Sequence, residues 1–288
     1  MGVVVNTNIS SITASRILAE NRADLEKAME RLASGKRINS AADDAAGMAV
    51  AAKMRADIGS LNQSVRNTND AISLVNTYDG AAAEIESILI RMRELAVQAK
   101  NGTYEAADRT NADYEYTALK NEITRIAGVS AFNRMTVAQG SSGAAGGTGV
   151  TDTSFTFYVG SDVAKTGNGV TFAAKALDLN LAVSSGTLNS VVDATSAGQA
   201  IANLDDAITE LAANRAQAGA LINRLEHTVS NLMNVSQRLQ EAVSGIEDAD
   251  YAAESANLAR GMVLAQAGTA MLAQANQAPQ YILSLLRG

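Results

Sequence analysis

The sequence predicts a mainly α protein: a long antiparallel coiled-coil-like helical bundle with paired terminal helices and a small inserted β-hairpin region. Three observations carry that prediction. Apolar residues recur at 3-4 spacing along much of the C-terminal half and again in the N-terminal half. Apolar content is 47% with only 4% aromatic residues, so the buried surface is made by Ala, Leu, Ile, Val and Met, the residues of packed helices. Between the helical halves the composition turns to glycine, serine and threonine with short alternating runs.

At the N-terminus, Leu18, Leu25 and Leu32 recur every seven residues with Ala14 and Ala28 between them, the stripe of a first helix. Ser40-Ala41-Ala42-Asp43 reads as a capping-box-like start, with Asp43 and Asp44 near the positive end of a second helix. Ile58, Leu61, Val65, Thr68, Ile72 and Val75 continue it, then Ile85, Leu89, Met92, Ala96 and Ala99, and Asn101-Gly102 is its stop. A shorter helix, about residues 108–128, carries Leu119, Ile123 and Ile126.

The stretch GSSGAAGGTG at 140–149 is linker material. Phe155-Thr156-Phe157-Tyr158-Val159 reads as a strand, Thr166-Gly167-Asn168-Gly169 as a turn and Val170-Thr171-Phe172 as the returning strand. Residues 177–183 alternate as a further strand. A long helix then shows Ile201, Leu204, Ile208, Leu211, Ile222, Leu225, Val229, Leu232, Leu239, Val243 and Ile246 in one heptad register. Only Arg215, Ala218 and Ser236 interrupt it. Such a seam spans about 70 Å and needs partner helices.

The last helix is unusual. Leu258, Met262, Ala265 and Leu272 form one stripe, while Val263, Leu264 and Met271 make other faces apolar. Between Ser255 and Leu286 the only charged side chain is Arg260. A helix apolar nearly all round must be covered on every side, and one antiparallel partner covers only one. Further copies of the chain, or a membrane, must cover the rest.

A net charge of −7 with interspersed signs excludes a basic nucleic-acid surface. Cysteine is absent, which removes disulfides, thiol nucleophiles and thiolate metal sites. The first residues lack the cationic start and apolar run of a secretory signal, and Asn6 stands where a myristoylation motif wants Ser or Thr. Gln266, Gln274, Asn276, Gln277 and Pro279 punctuate the last segment against a membrane span. His227 is the single histidine and sits at heptad position b, a solvated position. Asp43-Asp44 and Glu247-Asp248…Asp250 read as helix-end charges, and the glycines of 140–149 form no phosphate loop. No catalytic, cofactor or metal site is expected.

Several segments resemble bacterial flagellin. They are Val5-Asn6-Thr7-Asn8, the run from Leu32 through Gly35-Lys36-Arg37-Ile38-Asn39-Ser40 to Gly47, Arg93-Glu94-Leu95-Ala96-Val97-Gln98 and Asn223-Arg224-Leu225-Glu226. The last is Ala273-Gln274-Ala275-Asn276-Gln277-Ala278-Pro279-Gln280 with Leu283-Ser284-Leu285-Leu286-Arg287. The resemblance covers roughly 1–135 and 195–288 and implies a division into five parts. These are an N-terminal inner-tube helix (1–42), the N-terminal part of an outer-tube helical domain (43–138), a short variable β-hairpin and loop region (139–195), the C-terminal long helix of the outer-tube domain (196–247) and a C-terminal inner-tube helix (248–288). After Phe132-Asn133 the family usually has Gly where this chain has Arg134, which sets a φ > 0 turn against a residue that resists it.

The resemblance implies a structural subunit that polymerises into the flagellar filament for motility, outside the cell and exported without a cleaved signal peptide. Implied partners are further copies of itself, an export chaperone, hook–filament junction proteins, the filament cap and the flagellin-sensing Toll-like receptor. For inner-tube assembly it implies Leu18, Leu25, Leu32, Leu258, Met262, Leu272, Leu285 and Leu286. For subunit contact and receptor binding it implies Arg91, Leu95, Gln98 and Glu115, with Ile90 where many receptor-activating relatives have Gln. Ser141, Ser142 and Thr148 are candidate O-glycan carriers. A hook–filament junction protein and a membrane-inserting helical translocator are the rival readings.

Overall fold

A computed structural model describes residues 7–138, 141–142, 150–151, 153–160, 169–174 and 190–287, with side chains except at 141–142, 150–151, 153 and 278–287. Helix α1 is Ile9–Ser34, α2 Ala45–Lys100, α3 Ala106–Val129, α4 Ala194–Glu247 and α5 Tyr251–Arg287. The strands are β1 (Ala131–Phe132), β2 (Met135–Thr136), β3 (Ser141–Ser142), β4 (Val150–Thr151), β5 (Thr153–Tyr158) and β6 (Gly169–Ala174), paired consecutively and antiparallel. The strand read at 177–183 lies outside the described residues. Two compact units are present: residues 59–236, and residues 1–58 with 237–288.

In the 59–236 unit, α2 and α4 run antiparallel, because their polar ties descend along one helix as they climb the other. Asn62 meets Ser236 (3.2 Å), Asp79 meets Arg215 (2.9 Å) and Arg93 meets Asp205 (2.5 Å). The core stripe of α2 runs Ala71, Val75, Tyr78, Ala82, Ile85, Leu89, Met92, Ala96 and Ala99. On α4 the buried line is Leu204, Leu211, Ala218, Leu225 and Leu232, one residue per heptad. Its flanking line differs from the sequence reading. Ala200, Ala207 and Asn214 are buried on one side, while Ile201, Ile208 and Ile222 are only half-buried on the other. Small alanines let the helices approach on that side, which rotates the seam away from the isoleucines.

Each interruption of the heptads has a structural role. Ala218 is fully buried, and the Ser236 hydroxyl donates to Asn62 Oδ1. Arg215 reaches across to Asp79 and, through Nη1, to Glu86 Oε2.

Helix ends follow local chemistry. The start read at Ser40–Asp43 is displaced: α2 begins at Ala45, and Asp44 is its cap, with Oδ1 accepting from Gly47 N at 2.8 Å. Asp43 instead closes the preceding turn, accepting from Ser40 N (3.1 Å) and the Ser40 hydroxyl (3.1 Å). Helix α3 carries a capping box between Glu105 and Asp108, and Arg109 Nε satisfies the Ala99 carbonyl at the end of α2 (2.8 Å). Asp193 caps α4 by accepting from Thr195 N and Ser196 N, both at 2.8 Å; those bonds, Ser196's first, hold its carboxyl below the usual range.

The β5–β6 hairpin pairs Phe155 with Phe172 and Phe157 with Val170. Alternation turns Val170, Phe172 and Ala174 inward and Thr171 and Ala173 outward. Tyr78 meets Phe172 edge-on at 5.3 Å, joining hairpin to helix. The β1–β2 hairpin turns at Asn133 (φ 49°) and Arg134 (φ 65°). Two successive positive φ values are the geometry of a tight hairpin, so the arginine occupies the left-handed region that glycine favours.

Candidate functional site

In the unit of residues 1–58 and 237–288, α1 packs along α5. Asn8 caps α1, with its Oδ1 accepting from Ser11 N (3.1 Å), and donates its amide to the Ala275 carbonyl of α5 (2.7 Å). Gly35, at φ 69°, ends α1 by donating to the Arg31 carbonyl at 2.9 Å. Leu18 and Ala28 are buried, and Leu25 and Leu32 half-buried, on the face toward α5.

The facing stripe of α5 is Leu258, Gly261, Ala265, Gly268 and Leu272. Met262 is corrected out of it. It is 54% exposed, one residue round from Gly261, where the 3-4 spacing between Leu258 and Ala265 falls. The glycines matter because a side chain there would meet α1. A Cβ on Gly268 would lie 3.1 Å from Leu18 Cδ1, and one on Gly261 would lie 3.5 Å from Leu25 Cβ. Leu285 and Leu286 lie within α5, but their side chains are outside those the structure describes.

Apolar side chains of the first turns of α1 and of α5 stay open beside this seam. Ile9 is 66% exposed, Val263 66% and Met271 65%, and Ile12, Ile17 and Leu264 are exposed as well. Ile9, Ala14, Ile17, Leu264 and Met271 line a shallow groove of about 510 Å³ along the helix pair. An exposed apolar surface this continuous is what a partner covers.

The turns beside this pair are tied by charge. Arg55 and Lys36 both reach the buried Glu247 carboxylate, at 3.0 and 3.7 Å. Arg37 donates its backbone N–H to the Glu247 carbonyl and its guanidinium to the Ile246 carbonyl, each at 2.6 Å. Lys27 meets Asp43 at 2.8 Å; that bond, and then the Ser40 amide, hold the Asp43 carboxyl well below the usual carboxylate range.

On the 59–236 unit, Arg91 and Glu115 come together across α2 and α3 at 2.9 Å, with Glu94 also on Arg91 at 3.0 Å. All three are exposed, as is Gln98, which donates to the Tyr104 hydroxyl at 3.3 Å. Leu95 does not join them. It is 3% exposed and belongs to the core. The reason is that α2 packs against both α3 and α4, so its apolar sector is wider than one seam and takes in Leu95 and, partly, Ile88.

Sequence reasoning missed Gly261 and Gly268, and it read Glu247 as a helix-end charge although the residue is buried between Arg55 and Lys36; these roles depend on which residue stands opposite. The 3-4 spacing through Gly261 and Gly268 was the available signal. Among the described residues no cluster of His, Cys, Asp or Glu could hold a metal, and no helix is long and apolar enough to cross a membrane. His227 is exposed on α4.

Paired apolar helices, a helical bundle and a small β region define a helical structural protein with open assembly faces. Residues 5–142 match the bacterial flagellin N-terminal helical region and residues 201–286 the bacterial flagellin C-terminal helical region. Flagellin of Halalkalibacterium halodurans is 40% identical over 99% of this chain and 100% of its own. The flagellar filament 33 kDa core protein of Treponema phagedenis is 39% identical over the same shares. Flagellin A of Vibrio anguillarum is 32% identical over the whole of both chains. A crystal structure of Bacillus cereus flagellin is 35% identical, covering 58% of this chain and 88% of that one with a TM-score of 0.48. The chain belongs to the bacterial flagellin family, and is a flagellar-filament structural protein rather than an enzyme.

Proposed function

We propose that this chain is the repeating subunit of an extracellular flagellar filament, a helical homopolymer whose inner layer is formed by α1 and α5. The observation that carries the reading is the pair of terminal helices, zipped on one face through Gly261 and Gly268, with apolar side chains of α5 and of the first turns of α1 left open. Neighbouring copies cover those faces, and apolar burial at about 25 cal/mol per Å² supplies the free energy of assembly. The division into inner-tube parts 1–42 and 248–288 and outer-tube parts 43–138 and 196–247 belongs to this reading, as does export without a cleaved signal. An export chaperone, junction proteins and a cap complete the set of partners.

The test is assembly. Heat-dissociated protein is cooled with a precipitating salt and short seeds, then imaged by electron microscopy beside a chain lacking 249–288. Tubes from the full chain alone are expected. Monomers from both, with the full chain floating on liposomes, would instead assign α5 to a membrane.

A second reading has its own observation: Arg91, Gln98 and Glu115 form a mixed-polarity exposed surface on α2 and α3. It serves subunit contact and recognition by the flagellin-sensing Toll-like receptor, with Leu95 acting beneath it as packing rather than as a contact. Arg91→Ala and Glu115→Ala should each weaken receptor signalling while unfolding stability stays within about 1 kcal/mol of the parent. Unchanged signalling would leave filament packing as the role of this surface.

A further inference from the structure

With no cysteine and no tryptophan in the chain, the side chains that a two-electron oxidant attacks first are its nine methionines. Met92 is fully buried in the bundle, whereas Met262 and Met271 of α5 are 54% and 65% exposed. Neither α5 thioether is engaged in the contact with α1. Met262 follows Gly261 and Met271 precedes Leu272, so each stands just off the seam that faces α1. About two and a half helical turns separate them, which places them about half a turn out of phase, one on each flank of that seam. Met271 also lines the open apolar groove with Ile9, Ile17 and Leu264.

Thioether chemistry couples these positions to assembly. A hydroperoxide gives one oxygen atom to the sulfur, whose lone pair forms an S–O bond as the O–O bond breaks. The thioether loses two electrons, and the proton of the transferred hydroxyl leaves with the displaced oxygen as water or an alcohol. The sulfoxide replaces an apolar, adaptable side chain by one with a hydrogen-bond acceptor and no donor. In a free chain water solvates that acceptor. When a neighbouring copy covers the flank, the water is removed and a buried, unpaired acceptor opposes the contact. With one thioether on each flank, oxidation at either site disturbs a different contact, and the cover that forms in the polymer keeps peroxide out.

We propose that Met262 and Met271 are oxidation sites through which a hydroperoxide withholds free chains from polymerisation, while assembled chains are spared. This rests on the homopolymer reading, and the test separates the two.

Full-length chains are partially oxidised with hydrogen peroxide, mixed with seeds and a precipitating salt, and separated by ultracentrifugation. Peptide mass spectrometry then reads the sulfoxide fraction at each methionine in pellet and supernatant. Sulfoxide at 262 and at 271 should be depleted roughly tenfold in the pellet, the effect of burying one unpaired acceptor. Sulfoxide at Met135 and Met233, both exposed on the 59–236 unit, should divide evenly. Depletion no greater at 262 and 271 than at 135 and 233 overturns the proposal. The variant M262L/M271L keeps volume and apolarity, and after peroxide it should assemble at the critical concentration of untreated chains. M29L/M135L/M233L should stay as peroxide-sensitive as the parent, and it decides should M262L/M271L not assemble; the reverse pattern overturns the proposal. Peroxide added to finished filaments should oxidise 262 and 271 roughly tenfold more slowly than in free chains, and equal rates also overturn it. Failure of the untreated parent to sediment with the seeds would count against the homopolymer reading, and this inference falls with it.

Discussion

Arg215 stands at a heptad position where an apolar residue is expected, and replacing it tests how the α2–α4 seam is held. The guanidinium meets Asp79 at 2.9 Å and also Glu86, with the three side chains 34%, 37% and 27% exposed. Pairs this open are screened by solvent, so each lies well below a fully buried pair, where breaking costs about 3–5 kcal/mol, and near the upper end of the surface range of about 0–1 kcal/mol. Two such pairs place Arg215→Ala at about 2 kcal/mol, or about 4–8 °C in the melting temperature of a unit this size. Arg215→Met should fall within about 0.5 kcal/mol of the parent, because an apolar stem continues the heptad and the two acids turn to water. Urea unfolding followed by circular dichroism measures both, and a cycle with Asp79→Asn isolates the coupling. If Arg215→Ala leaves stability unchanged, or Arg215→Met costs as much as Arg215→Ala, the ion pairs do not hold the seam as argued.

Other outcomes follow from single observations. Tyr116→Phe should stabilise by about 1 kcal/mol, because the buried hydroxyl has no partner and burial pushes its pKa upward; a destabilised variant in the same urea assay would mean that the hydroxyl is satisfied. Arg134→Gly should stabilise by about 0.5–1 kcal/mol, the relief of a left-handed arginine less the chain entropy glycine adds when unfolded; a loss would show that its side chain matters more than its backbone. Leu95→Ala should cost about 2–4 kcal/mol in unfolding, whereas a contact-surface residue would cost little. The Asp43 carboxyl, lowered by Lys27 and the Ser40 amide, should stay ionised as pH falls below 3.8. Being depressed in the folded state, it contributes stability above its ordinary pKa that is lost only as pH falls through its lower folded value. A carbon-13 titration with a midpoint near 3.8 for Asp43 would refute that.

The helices were legible because periodicity is local information. Leu204, Leu211, Leu225 and Leu232 recur with the period of the α-helix, and that repeat is written in the order of residues alone. The β5–β6 pairing was legible for the same reason, through the alternation of 155–159 and 170–172, while the turn read at 166–168 lies outside the described residues. So was the nearly chargeless last helix, whose excess apolar surface already required company.

The opposing residues were not legible, because a stripe on one helix does not say which neighbour it meets or how closely. Leu95, which the resemblance places on a contact surface, lies in the core because α3 as well as α4 packs on α2. Met262 seemed part of a leucine line until Gly261, facing Leu25, took the contact. Arg215 looked like a flaw in the heptads until Asp79 and Glu86 stood across from it, more than a hundred residues away in the chain. Period belongs to one strand of sequence, whereas partner, distance and charge balance belong to two, and only the packed chain brings the two together.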